Sequence, residues 1–499
     1  MEPSSDVPQV RIRSEGIPEH DQQGEFVLYW MTSARRTEWN FGLQRAVDWS
    51  VELGKPLVVL EALRVDYRWA CDRFHAFVIQ GMHDNAAAFS TCPAVEYFPY
   101  IEPERGAASG LLEALARRAA VVVTDDFPSF FLPAQLRAAR RVVPCRLEAV
   151  DSNGLYPMHA TEKVFARAYD FRRHLQKELP QHLPDQPEAA PFRRLKTPAP
   201  DGLLKKERKR WPPSDATGER AADQLLPSLP INHQVRPIQE RGGNLAAQER
   251  MRLFLDERLG LYAERRNQPE EDVPSGLSSW LHWGHLSAHQ IFAELVEREG
   301  WSPDRLSEKT SGARAGWWGM SETAESFLDE LVTWREVGYN FCAHRRDYDR
   351  YESLPEWARA SLEEHARDER PEVYSLEQFD RSKTHDPLWN AAQRQLVREG
   401  RIHNYLRMLW GKKILHWSES PREALQIMIE LNNKYAIDGR NPNSYSGIFW
   451  VLGRYDRAWG PEREIFGKIR YMSSENTARK VRVKDYIERY AATAEQRLF

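Results

Sequence analysis

The hydrophobic period of this chain changes once along its length, and no single architecture satisfies both periods. From residue 25 to about 150, short apolar runs alternate with amphipathic stretches. Phe26-Val27-Leu28-Tyr29-Trp30, Pro56-Leu57-Val58-Val59-Leu60, Val95-Glu96-Tyr97-Phe98, Ala120-Val121-Val122-Val123-Thr124 and Arg141-Val142-Val143-Pro144-Cys145 predict five strands. Helices between them imply a doubly wound, Rossmann-like parallel sheet. From about residue 240 onward, apolar residues recur at helical spacing, as in Met251 through Tyr262 or Phe327 through Phe341, and no segment predicts a strand. The fold class is α/β plus all-α, and 499 residues are too many for one hydrophobic core.

The same reading sets boundaries. Residues 1–24 are polar and acidic and read as a disordered lead-in, and 25–150 form the α/β domain. Residues 151–225 hold Pro180, Pro184, Pro187, Pro191, Pro198, Pro200, Pro212 and Pro213 with the basic run Lys205-Lys206-Glu207-Arg208-Lys209-Arg210. They read as a solvated connector, whose basic run could touch DNA phosphates. Residues 226–490 form the helical domain and 491–499 a tail.

Several classes are excluded. No apolar run approaches a membrane span, and no basic start with an apolar centre marks a signal peptide, so a cytoplasmic protein without membrane contact is expected. Four dispersed cysteines without Cys-x-x-Cys oppose a zinc site or a disulfide framework. No Gly-x-Gly-x-x-Gly follows the first strand and no phosphate loop with Gly-Lys-Ser/Thr occurs, so ordinary dinucleotide binding and nucleoside triphosphate hydrolysis are not indicated. Ligands of such a sheet bind beyond its carboxyl ends, after Trp30, Leu63 and Val123. A net charge of -3 requires any nucleic-acid surface to be local.

Tryptophan is in excess, with 17 residues. Trp410 and Trp417, seven residues apart in a helical pattern, share one face, and Trp389 comes from the preceding helix. Arg407, Asn432 and Asp438 add a cation, an amide and a carboxylate nearby, which an apolar core does not need unless they pair or bind something. His282, His285 and His289 share a helical face, yet no neighbouring cysteine or carboxylate completes a metal site, so a structural or hydrogen-bonding role is expected.

Pro274-Ser275-Gly276-Leu277-Ser278-Ser279-Trp280-Leu281-His282-Trp283-Gly284, Glu330-Leu331 through Trp334-Arg335-Glu336, Thr384 through Gln393, and Lys468-Ile469-Arg470-Tyr471-Met472 resemble the photolyase and cryptochrome family, and most closely its class II cyclobutane pyrimidine dimer photolyases. The resemblance spans about positions 25 to 485. It implies that FAD is bound in the helical domain and that the reduced anion donates an electron, under blue light, to a dimer flipped out of UV-damaged DNA.

By that resemblance, Tyr262, Ser275, Leu277 and Ser278 hold the FAD diphosphate, although Ser279-Trp280 replaces the family's Pro-Tyr pair and Trp283 its Phe. Asn432 faces flavin N5, and Arg407 and Asp438 pair beside the ring. Trp410, Trp389 and Trp417 become the proximal, middle and surface members of a photoreduction chain. Glu330 hydrogen-bonds the dimer as a carboxyl kept neutral by burial. Trp334 and Trp450 form the aromatic walls, and Met408 touches the dimer. Arg457 and Trp459 belong to a loop filling the hole left by the dimer, and Arg470 joins a basic end with Lys468, Arg479, Lys480, Arg482 and Lys484. An antenna chromophore, a deazaflavin or a folate, belongs to the α/β domain, although Val150 through Pro157 departs from the class II pattern. A monomeric deoxyribodipyrimidine photo-lyase is expected; the alternatives are a cryptochrome-like blue-light photoreceptor and a flavin-free helical nucleic-acid-binding protein.

Overall fold

A computed structural model describes residues 3–16, 19–216, 218 and 220–492. The chain divides into two compact units, one of residues up to 162 with 178–252 and 276–303, the other of 163–177 with 253–275 and 304 onward. The tail expected at 491–499 lies, from 493, outside the described residues.

The first unit is built on six strands, β1 (Ile12–Gly16), β2 (Phe26–Met31), β3 (Leu57–Leu63), β4 (Val95–Ile101), β5 (Ala119–Asp125) and β6 (Arg146–Val150), in the order β1-β6-β5-β2-β3-β4. All neighbours are parallel except β1, which runs antiparallel to β6. β2, β3 and β5 are almost wholly apolar because helices cover both faces.

Three expectations are corrected here. The described part of the segment 1–24 is not a disordered lead-in: Ile12 to Gly16 pair with β6, and the fully buried Arg11 donates to the carbonyls of Gly154 and Leu155 at 3.1 and 2.8 Å. Its polarity conceals an edge strand held by buried charge. The last strand begins at Arg146, not Arg141. Glu148, fully buried, accepts from Arg45 at 2.7 and 3.0 Å, from Arg146 at 2.7 Å and from the Trp49 indole at 2.9 Å, so an ion-pair network disguises a core strand as polar sequence.

The connector is also no solvated spacer, since its residues 151–162 and 178–225 belong to the first unit. Phe192 and Leu195 join the core on one face of the sheet, Leu204 and Trp211 the core on the other. Between them the chain covers the edge of β4: the Ser214 N–H donates to Pro99 O at 3.0 Å and Arg208 to Tyr97 O at 3.1 Å. An uncovered edge would invite strand pairing with another chain. The basic run is a short helix, Lys205–Arg210, in which buried Glu207 pairs with Arg118 at 2.8 Å and Arg208 with Glu96 at 2.7 Å.

The second unit is helical. Its elements include Glu322–Leu328, Arg335–His344, Pro387–Glu399, Asn404–Trp417, Pro421–Tyr435 and Pro442–Val451. Four are capped from the sequence: Ser321, Asp386, Ser420 and Asn441 each accept a backbone N–H of the first turn, three of them with proline following at once. Two segments, Phe254–Arg258 and Asp329–Trp334, are π-helical. Such wide turns shift side chains out of helical register and gather at functional sites.

Candidate active site

One helix, Asn404–Trp417, presents Arg407, Met408, Trp410 and Trp417, and the helices packed on it supply Trp389, Asn432 and Trp450. Arg407 pairs with Asp438 at 3.5 Å. Asp438 is 7% exposed, and its second carboxylate oxygen has no hydrogen-bond partner among the described residues. A buried unpaired acceptor costs about 1–3 kcal/mol, so this oxygen suits a donor brought by a ligand. A flavin ring, with its N–H groups and polar edge, fits that donor set.

Asn432 is buried, and its amide donates to Ser444 Oγ at 2.7 Å and Asn433 Oδ1 at 3.1 Å, which fixes its plane. The turn after it is tied down by Arg440, which is fully buried, adopts φ 64°, and donates to the carbonyls of Asn433, Ala436 and Ile437. That guanidinium closes the end of the Pro421–Tyr435 helix and so sets where Asn432 and Asp438 stand.

The three indoles form a buried array. Trp389 donates its N–H to the Trp410 carbonyl at 3.0 Å, Trp410 donates to Gln393 Oε1 at 2.9 Å, and the Trp389 and Trp417 rings lie 6.3 Å apart at 71°. One expectation fails: Trp417 is not at the surface but 1% exposed. Tyr374 at 5.7 Å and His385 at 5.0 Å cover its ring, and the Lys413 ammonium sits 4.9 Å above it. Sequence spacing gives the shared face of a helix but not what packs over its last turn.

Glu330 and Trp334 both belong to the π-helical segment Asp329–Trp334. Arg266, which sequence reading missed, contacts Glu330 at 2.6 Å and lies over the Tyr262 ring at 5.3 Å. Burial pushes the Glu330 carboxyl above its usual range, and Arg266 pulls the other way. Tyr262 packs on Phe254 and Phe327, and burial raises its hydroxyl well above the phenol range. Neighbouring Asp329 is held by Arg172 at 2.7 and 3.0 Å.

Trp334 and Trp450 are half-buried and stack on each other, with centroids 4.5 Å apart at 25°. They therefore form one continuous platform, not two facing walls. Met408 is half-buried. Trp459 donates its indole N–H to Asp456 at 3.1 Å, and exposed Arg457 and Arg470 lie over its ring at 4.7 and 5.1 Å. Of the other expected phosphate ligands, Lys468 pairs with Glu462 at 2.9 Å and Arg482 with Glu271.

The four residues expected around a diphosphate are divided between the units: Tyr262 and Ser275 belong to the second, Leu277 and Ser278 to the first. Leu277 is a buried apolar side chain and can offer only its backbone. In the first unit, Gly276 adopts φ 70°, and a Cβ there would meet the Arg250 guanidinium at 2.6 Å. Arg250 is a second cation the sequence did not single out. His285 is fully buried and accepts from the Gly243 N–H at 2.9 Å; burial lowers it to about 3. His289 lies 3.4 Å from Arg11.

The fold matches the crystal structure of a bacterial class III photolyase from Agrobacterium tumefaciens, with a TM-score of 0.64 and 16% identity over 94% of this chain and 86% of that one. It also matches a cryptochrome from Synechocystis sp. PCC6803, with a TM-score of 0.63 and 15% identity over 95% and 89%. The architecture is that of the photolyases and cryptochromes. No family model matches the chain. It is 34% identical to a deoxyribodipyrimidine photo-lyase of Methanothermobacter thermautotrophicus over 96% of this chain and 97% of the relative. It is 31% identical to one of Potorous tridactylus, over 96% and 83%, and 32% identical to one of Arabidopsis thaliana, over 94% and 89%. The chain belongs to the deoxyribodipyrimidine photo-lyase family.

Proposed function

We propose that this protein is a light-dependent DNA repair enzyme of the class II type, which splits cyclobutane pyrimidine dimers in UV-damaged DNA and works as a cytoplasmic monomer. The observation that carries the reading is the position of Asn404–Trp417: one helix holds the cation of the polar pair, Arg407, and two members of the indole array, Trp410 and Trp417. Among the described residues no helix is long and apolar enough to cross a membrane.

Bound FAD, reduced and excited by blue light, would supply one electron to the dimer and take it back after the ring opens. Arg407, Asp438 and Asn432 would hold its isoalloxazine, and Tyr262 and Ser275 of the same unit its diphosphate. The protein's own groups do the rest. Trp417, Trp389 and Trp410 would pass an electron inward from a reductant in solution, which is oxidised as the reduced state is restored, and their burial keeps water away from the oxidised rings. Glu330 donates a hydrogen bond to the dimer when protonated, and Arg266 sets how often it is. The Trp334–Trp450 platform and Met408 pack against the extruded bases, stacking of this kind being worth about 1–3 kcal/mol per base. Arg457, Arg470 and Trp459 hold the duplex around the gap.

An antenna, a deazaflavin or a folate, would lie in the first unit beyond the carboxyl ends of β3 and β5. There Tyr67, Trp69, Phe130 and Phe131 gather, and Trp69 and Phe130 take φ of 72° and 60°. Non-glycine residues hold such backbone angles at a cost, which gathers at binding sites.

The test is dimer reversal in an oligonucleotide carrying a thymine dimer, with photoreduced protein, in blue light and in darkness. Light-dependent recovery of thymine absorbance is expected; no recovery with bound reduced FAD would favour a photoreceptor.

A further inference from the structure

Lys412 lies one turn beyond Met408 and is 1% exposed. An ammonium has three donors, and among the described residues this one finds a single acceptor, the Val451 carbonyl at 2.5 Å. Val451 is the last residue of the helix Pro442–Val451 and follows Trp450. Its carbonyl is one of those that a helix leaves without an internal partner. The two helices come this close because residue 411 is glycine. A Cβ there would meet a Val451 methyl at 2.6 Å and the Met428 sulfur at 3.1 Å.

The charged groups that act on Lys412 come from the segment after Val451: Asp456 favours its charge and Arg470 opposes it. Asp456 also accepts from the Trp459 indole at 3.1 Å and from the Arg457 N–H at 2.9 Å. One buried ammonium thus ends the helix that carries Trp450 and feels the charges of the segment that holds Arg457, Trp459 and Arg470.

We propose that Lys412 is a positioning residue: its ammonium caps the Trp450 helix in the field of the Asp456 carboxylate, holding platform and loop as damaged DNA needs them, and DNA binding draws a proton onto it. The inference rests on the repair reading above. Phosphates arriving at Arg470 offset the charge that opposes the ammonium, so the complex favours the protonated form. Burial lowers Lys412 to about 7, so the free protein loses this proton near neutrality. Affinity for dimer DNA should therefore be full below pH 7 and fall as pH rises through it.

The experiment measures dark binding of the flavin-loaded full chain to a thymine-dimer duplex and its undamaged twin, from about pH 6 to about pH 9, with light-driven reversal followed in parallel. Wild-type preference for the dimer should fall roughly tenfold across the range. Lys412→Met should lose about as much at low pH and show no pH dependence. Asp456→Asn leaves the lysine in place and should move the inflection to lower pH. A Lys412→Met variant with the wild-type profile overturns the inference. An inflection unmoved by Asp456→Asn does so too, even if the methionine variant fails to fold. A wild type that neither reverses nor prefers the dimer overturns the repair reading and this inference together, whereas reversal with an unchanged Lys412→Met profile removes only the role of Lys412.

Discussion

Trp389, Trp410 and Trp417 are each 2% exposed or less, whereas Trp334, Trp450 and Trp459 keep part of their rings in solvent. Two of the buried rings are fixed by indole N–H groups that find acceptors within the core, Trp389 on a backbone carbonyl and Trp410 on Gln393, and Trp417 is packed among Tyr374, His385 and Trp389. The exposed set relies on ring faces: Trp334 on Trp450, and Trp459, whose N–H also donates to Asp456, under two arginines. The same side chain can serve as a fixed redox relay or as a stacking surface, and the environment assigns the task.

The largest effect should separate the two sets by stability. Trp389→Ala should cost about 3–5 kcal/mol in chemical denaturation, since its pocket cannot collapse, and the milder Trp389→Phe should keep the fold while stopping light-driven flavin reduction. Trp450→Ala should leave stability nearly unchanged and weaken dimer binding by about 1–3 kcal/mol in a titration. If Trp450→Ala destabilised the chain as much as Trp389→Ala, the comparison would fail.

Arg457→Ala probes the ring faces from the charged side. It should lower the salt dependence of DNA affinity by about one phosphate contact, with little change in dimer preference. An unaltered slope would place Arg457 away from the backbone.

The smallest effect concerns Glu330. Its carboxyl is raised in the folded chain, so the native state holds that proton more tightly than the unfolded one. The stability it contributes is present at low pH and declines as pH rises through the window above the ordinary glutamate value of 4.5. Glu330→Gln should abolish that slope in pH-dependent denaturation while retaining repair, and Glu330→Ala should lower repair yield with the flavin spectrum unchanged. Equal yields for Glu330→Ala and wild type would remove the residue from the reaction.

Legibility followed the simplicity of each environment. β2 to β5 stood out as apolar runs, since a strand covered on both faces is mostly apolar unless its charges are paired. β1 and β6 did not, because Arg11, Arg146 and Glu148 are buried by pairing and read as surface residues. In the site, Arg407, Asn432 and Asp438 were singled out as a cation, an amide and a carboxylate that an apolar core does not need, and the structure pairs Arg407 with Asp438. Arg266, Arg250 and Lys412 were passed over because a lone cation in a helix has an ordinary solvated reading, and only its partners distinguish it.

The sequence by itself determined two architectures in one chain, the helix starts marked by Ser321, Asp386, Ser420 and Asn441, and the pairing of Trp410 with Trp417 on one helical face. These depend on period and on contacts a few residues apart. Only the tertiary structure decided that a proline-rich connector covers β4, that Trp417 lies beneath Tyr374, that Trp334 and Trp450 share one platform, and that Lys412 reaches the end of the Trp450 helix. Each joins residues far apart in the chain, and burial and unpaired donors exist only once those segments meet.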